Sequence, residues 1–153
     1  MSSQLKRVRI IADFQFGKDI GEAMFPGGSE FILSRTGRVR QITDNGVRIA
    51  TVRASDGLLT LSIEGATRLH RFMKDPGMRV VVNSDAVPFV RSGKTAFARH
   101  VIDVDPLVRA MDEVLVTDEK DNLLATGQAV LCAIEMMDCK RGAAVMVRQG
   151  IED

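Results

Sequence analysis

Apolar positions along the first twenty-five residues recur at helical spacing and then lose it. Val8, Ile11, Ala12 and Phe16 follow the helical period, while Ile20 and Phe25 continue it less regularly, so the pattern predicts a helix followed by a looser turn. Pro26-Gly27-Gly28 ends that segment, and Phe31-Ile32-Leu33, residues 39–42 and residues 47–52 read as three short strands. Thr36-Gly37 separates the first pair. Asp44-Asn45-Gly46 separates the second, with an Asn-Gly step suited to the positive φ of a tight hairpin. Ser62 is placed to cap a second helix running to about Met73, which turns Ala66, Leu69 and either Phe72 or Met73 inward.

After Pro76-Gly77 the period changes. Val80-Val81-Val82 is an uninterrupted apolar run, the pattern of a buried strand. Ser84 reads as the cap of a short helix with an apolar face of Ala86, Val87, Phe89 and Val90; Pro88 is tolerated near its start and Gly93 supplies its exit. Strands are then expected over 95–105, 113–118, 123–131 and 143–148, with polar turns between them. Strands this short and numerous are stabilised by closing on one another around a single core, so a compact pseudobarrel is expected. The breaker cluster Asp75-Pro76-Gly77 divides the chain into domains 1–77 and 78–153, and the fold class is α+β: a helix on a small antiparallel sheet, then a β-pseudobarrel.

Composition narrows the function. A chain of 153 residues accommodates two small domains but not a self-contained barrel enzyme, which needs about 250. With 45% hydrophobic and 27% charged residues it has core material for a globular protein. The net charge of +1 conceals an asymmetry: residues 1–77 carry 12 Lys and Arg against 8 Asp and Glu, and residues 78–153 carry 9 against 12. Attraction to phosphates depends on local Lys/Arg patches, so a near-neutral total leaves a nucleic-acid partner open. Arg38 and Arg40 share a strand face and Arg48 lies across the Asn-Gly turn, a candidate basic surface for which an ordinary solvated face is the favoured reading. The start MSSQLKRVRI places charges where a signal peptide needs an apolar run, no apolar stretch approaches a membrane span, and a cytoplasmic location is expected. Cys132, Cys139, His70 and His100 supply neither a zinc pattern nor a disulfide scaffold, so no metal and no cofactor are expected. The acidic stretch of Asp112, Glu113, Asp118, Glu119 and Asp121 reads as a solvated edge, not a catalytic carboxylate pair.

The ordered segments VVVNSDAVPFVRSGKTAFARHV, DEVLVTDEKDNLLATGQAV and IEMMDCKRGAAVMVRQG resemble a PUA domain, the RNA-binding module of pseudouridine synthases and archaeosine transglycosylases. The matching features are the helix ending in Gly93-Lys94, the strand with Phe97, the Ala125-Thr126-Gly127 turn into a strand, Glu135-Met136, and the terminal strand from Gly142 to Gly150. In the first half RVRIIADFQFG, EAMFP, SRTGRVR and DGLLTLSIEGATRLH resemble the domain preceding PUA in archaeal tRNA-guanine transglycosylases. The family's catalytic barrel and zinc-binding domain have no counterpart in these residues.

The resemblance implies an RNA surface of Arg91, Gly93, Lys94, Thr95, Ala96, Phe97, Ala98, Arg99 and His100, joined by Gly127 and Arg148. The residue chemistry agrees, since Gly93 permits close backbone approach and Lys94 supplies a point charge for a phosphate. The Gly-Lys-Thr step lacks the upstream glycine spacing of a nucleotide-hydrolysing loop. Phe97 is expected to be mainly structural, and on a regular strand Arg99 and His100 point to opposite faces unless a bulge intervenes. No residue is expected to be catalytic.

The resemblance further implies binding of tRNA at its acceptor stem and 3′ end, without DNA or membrane partners, by a non-catalytic subunit whose partner is a separate transglycosylase chain. Two alternatives stand beside it: a stand-alone RNA-binding factor acting at ribosomes, and a protein-interaction module that has kept the fold but lost the RNA contacts. The acidic balance of 78–153 keeps the last in view.

Overall fold

In the computed structural model, which describes residues 1–153, helix α1 (Ser3–Phe16) begins at Ser2, whose hydroxyl accepts the Leu5 N–H at 3.1 Å. Leu5, Val8, Ala12 and Phe16 are buried along one stripe of it. The looser turn contains a short helix, α2 (Ile20–Met24), and a four-stranded antiparallel meander follows: β1 (Glu30–Leu33), β2 (Val39–Asp44), β3 (Val47–Val52) and β4 (Leu59–Leu61). Asn45 and Gly46 take φ of 52° and 80°, the left-handed pair that closes the β2–β3 hairpin. Ile42, Ile49, Leu59, Leu61 and Leu69 are withdrawn from solvent, each contributing about 1.5–3 kcal/mol by burial.

Ser62 caps α3 (Ile63–Phe72) by accepting the Gly65 N–H at 3.1 Å. The same hydroxyl donates to the carbonyls of Arg48 and Ile49, tying the helix start to β3. Ala66 and Leu69 face inward as expected, whereas Phe72 is exposed. These elements make up one compact unit, Met1–Met73; the second is Lys74–Asp153, and the Asp75–Pro76 bond near its start is cis.

The second unit holds β5 (Arg79–Val82), α4 (Val87–Arg91), β6 (Ala96–Phe97), β7 (Val101–Val104), β8 (Glu113–Thr117), β9 (Leu123–Ala129), α5 (Ala133–Cys139) and β10 (Ala143–Gly150). Its six strands run in the order β6-β10-β9-β8-β5-β7, with β5 and β8 parallel and every other pair antiparallel. This is a nearly closed, barrel-like mixed sheet around Val80, Val82, Val101, Val114, Val116, Leu124 and Val145, with Val90 of α4 and Met136 of α5 completing the core. No helix in the chain is long and apolar enough to cross a membrane.

Five expectations are corrected. Ser84 does not cap α4: the helix starts later, after Ala86, whose N–H is taken by the Asn83 side chain at 3.2 Å. Phe89 is not on its buried face but 59% exposed, because a helix of five residues turns only Val90 fully into the barrel. The segment 95–105 is not one strand; a 3-10 turn, Ala98–His100, separates β6 from β7. Ala125-Thr126-Gly127 lies within β9, not in a turn, and Gly127 opposes Val114 and Val147. Glu113 is not solvated: β8 lies between β9 and β5, and its side chain is completely buried. Helix α5 has no counterpart among the expected elements. It places Met136 in the core and leaves Cys132 half-buried and Cys139 exposed, both as free thiols.

Candidate nucleic-acid interface

Helix α4 ends at a reversal that Gly93 makes available. Its φ is +97°, in the left-handed region that favours glycine, and its N–H returns to Val90 O at 3.0 Å. Lys94 donates its main-chain N–H to Phe89 O at 3.0 Å, which fixes the backbone of the turn and leaves the ammonium side chain exposed.

The next residues alternate strictly. Ala96 and Ala98 are buried, so Phe97 between them points outward and is 43% exposed. This overturns a structural role in the core for Phe97: small residues take the two inward positions on a two-residue strand. Ala98 N–H is held by Gly142 O at 2.8 Å, and the chain then tightens into the 3-10 turn. That turn decides the disposition of Arg99 and His100. They are neighbours on one cleft, not on opposite faces, and Arg99 Nε lies 3.3 Å from His100 Nε2. The Arg99 guanidinium carbon sits 5.8 Å from the centre of the Phe97 ring, a cation–π distance.

The result is a cleft of about 250 Å³ lined by Phe89, Lys94, Phe97, Arg99 and His100. It combines a guanidinium and an ammonium for phosphate oxygens, an imidazole for hydrogen bonding, and two partly exposed rings with faces for a base. Phe89 is the member that sequence reasoning missed. The available signal was the brevity of a helix that needs only one deeply buried residue.

The other candidate residues are placed differently. Thr95 is half-buried beside the cleft, and Ala96 and Ala98 present no accessible side chain. The Arg91 guanidinium is paired with Glu152, and the Asp153 carboxylate covers Gly93. Gly127 is buried in β9, where a Cβ would come within 2.2 Å of Met146 O, so its bareness serves strand packing. Arg148 is the extra residue of a bulge in β10, since Val147 opposes Gly127 while Gln149 opposes Thr126. Its guanidinium grips the carboxylate of Glu113, with Nη2 to Oε1 at 2.7 Å.

The first unit carries a separate cationic depression. Arg38 and Arg40, both exposed, line it together with Arg53, which pairs with Asp56 at 3.1 Å. Arg40 is a bulged residue, because Ile32 opposes Gln41 and Leu33 opposes Val39. The bulge lets Val39 and Ile42, three apart, both turn inward. Arg48 stays apart from this depression, half-buried, with Nη1 bonded to the Thr51 hydroxyl at 2.9 Å.

Residues 78–151, the whole barrel with its α4–β6 cleft, match the PUA domain family. The chain carries a PUA domain. Residues 6–76 of this PUA-domain protein match the patch-forming domain C2 of tRNA-guanine transglycosylase. Among curated relatives, the tRNA-guanine(15) transglycosylase of Pyrococcus abyssi is 52% identical over 147 residues, covering 96% of this chain and 25% of the relative. That of Methanothermobacter thermautotrophicus is 50% identical, covering 95% and 22%. The PUA-domain protein thus spans about a quarter of the length of the relatives it matches. Among solved structures, a hypothetical protein of Pyrococcus horikoshii superimposes with a TM-score of 0.76 at 25% identity, covering 100% of this chain and 93% of its own. A conserved PUA domain protein of Thermoplasma acidophilum shares the fold with a TM-score of 0.65 at 21% identity, covering 99% and 93%.

Proposed function

We propose that this protein binds structured RNA through the α4–β6 cleft, and that the RNA is tRNA, engaged at its acceptor stem and 3′ end. In this reading it is the non-catalytic RNA-binding partner of a separate transglycosylase chain in the cytoplasm, assisting insertion of the archaeosine precursor base. The observation that carries the reading is the 52% identity, over nearly all of this chain, to a quarter of an enzyme named for exchanging a base in tRNA.

The cleft's chemistry supports it. Unpaired nucleotides at an RNA end offer base faces for Phe97 and Phe89, phosphates for Lys94 and Arg99, and ribose hydroxyls within reach of His100. No acid–base pair or bound cofactor is required, because the base exchange itself belongs to the partner chain. Purification of native complexes tests the proposal. A transglycosylase-family chain is expected to co-purify and to exchange bases faster with this protein than without it. Absence of such a chain, together with no effect on base exchange, would sink the partnership.

A second reading, a stand-alone RNA-binding factor, is favoured by one observation: the P. horikoshii protein is matched over 93% of its own length, so a protein of this two-unit extent exists separately from a long enzyme. Co-sedimentation with ribosomal subunits in place of a transglycosylase chain would select it.

A further inference from the structure

Carboxylates of the chain itself already stand where an RNA phosphate would approach Arg91 and Gly93. Beyond β10, residues 151–153 fold back over the end of α4. Ile151 donates its N–H to Leu124 O at 2.8 Å, and Glu152 donates its N–H to Arg91 O at 2.9 Å. The Glu152 carboxylate accepts from Arg91 Nη2. The Asp153 carboxylate lies against the bare face of Gly93, so close that a Cβ there would stand 2.9 Å from its Oδ2 and 3.1 Å from its Cγ. One cation of the site is neutralised and the approach that glycine leaves open is filled, while the adjacent Lys94 stays exposed.

The contact is built to be exchanged. Arg91 and Glu152 side chains are 43% and 54% exposed, so their pair is weak in water and screened by salt. Being intramolecular, the carboxylates nonetheless act at a high effective concentration and compete with any incoming anion. The two main-chain bonds can persist while the side chains swing away, which requires no unfolding of β10.

We propose that Glu152 and Asp153 form an intramolecular phosphate mimic that RNA must displace from Arg91 and Gly93, setting the affinity of the cleft and its sensitivity to salt. This rests on the RNA-binding reading above.

The test is titration of an in vitro transcribed tRNA with four full-length proteins: wild type, Glu152→Gln/Asp153→Asn, Lys94→Ala, and a charge-matched control, Glu119→Gln/Asp138→Asn. The control removes two exposed carboxylates elsewhere on the same unit. At about 50 mM salt the tail variant is expected to bind roughly 3- to 10-fold tighter than wild type, and to converge with it near 0.5 M, where exposed pairs are screened. The control should change binding by less than about twofold. A tail variant that matches the control, or binds more weakly than wild type, overturns the proposal. If Lys94→Ala weakens binding while the tail variant matches the control, the mimic alone fails. If neither changes binding, the reading of the cleft fails with it.

Discussion

Glu113 and Arg148 form an ion pair across the barrel sheet: the fully buried carboxylate on β8 is held by both terminal nitrogens of the guanidinium on β10, at 2.5 and 2.7 Å. The bulge at Arg148 turns its side chain toward β8 across the intervening β9. A buried carboxylate without a cation is costly, so the Arg148 guanidinium offsets the burial of the Glu113 charge on β8.

Arg148→Ala should therefore destabilise the protein by about 2–4 kcal/mol, toward the lower end for breaking a buried pair because Arg148 is one-third exposed. Urea denaturation measures it. Adding Glu113→Gln should recover part of the loss by removing the buried negative charge. Equal stability of Arg148→Ala and wild type would contradict this account of the pair.

Lys94→Ala separates RNA affinity from stability. The side chain is exposed and the turn's bonds come from the main chain, so the melting temperature should not move. RNA affinity should fall by about 1 kcal/mol, roughly fivefold. The slope of log affinity against log salt should flatten by about 0.7–0.9, the signature of one lost phosphate contact. An unchanged slope would remove Lys94 from the interface.

Phe97 tests the base-facing half of the cleft. Phe97→Ala should leave folding intact and cost about 1–3 kcal/mol of affinity for RNA with an unpaired 3′ end, the range for one stacked base. A blunt duplex should lose much less. Equal losses on both RNAs would assign the ring a role other than stacking.

Asp118 gives a pH-dependent check on the β8–β9 turn. Partial burial opposes its charge, but hydrogen bonds from the Asn122 side chain and from the main chain of Asn122 and Lys120 outweigh this and hold its pKa below the ordinary carboxylate value. A depressed folded-state pKa adds stability above the unfolded value, near 4, and that contribution is lost as pH falls through the folded pKa. Asp118→Asn should be slightly less stable than wild type at pH 7, with the difference closing below about pH 4. A difference independent of pH would show that the carboxylate charge is not responsible.

Much of the fold was legible because its signals are local. The α1 stripe, the Asn45-Gly46 hairpin, the Ser62 cap and the Val80-Val82 strand each state their element within a few residues. Strand β4 and helix α5 were not. The first has only three residues, and the second starts at Cys132, not at one of the usual capping residues, with Glu135 bonding back to the Cys132 N–H at 3.0 Å. The site was legible in membership more than in geometry. Arg99 and His100 share a cleft because Gly142, more than forty residues along the chain, pins Ala98 and the backbone tightens. Arg148 is taken up by Glu113, 35 residues distant. Contacts at such separations leave no trace in the local hydrophobic pattern.

Recognition of a tRNA 3′ end by the α4–β6 cleft is tested most directly by comparing the affinity of the purified protein for intact tRNA, for the same tRNA without its 3′ CCA, and for a DNA hairpin. Tightest binding to intact tRNA, a clear loss without CCA and weaker binding still to DNA is the predicted result. Equal affinity for all three would contradict it.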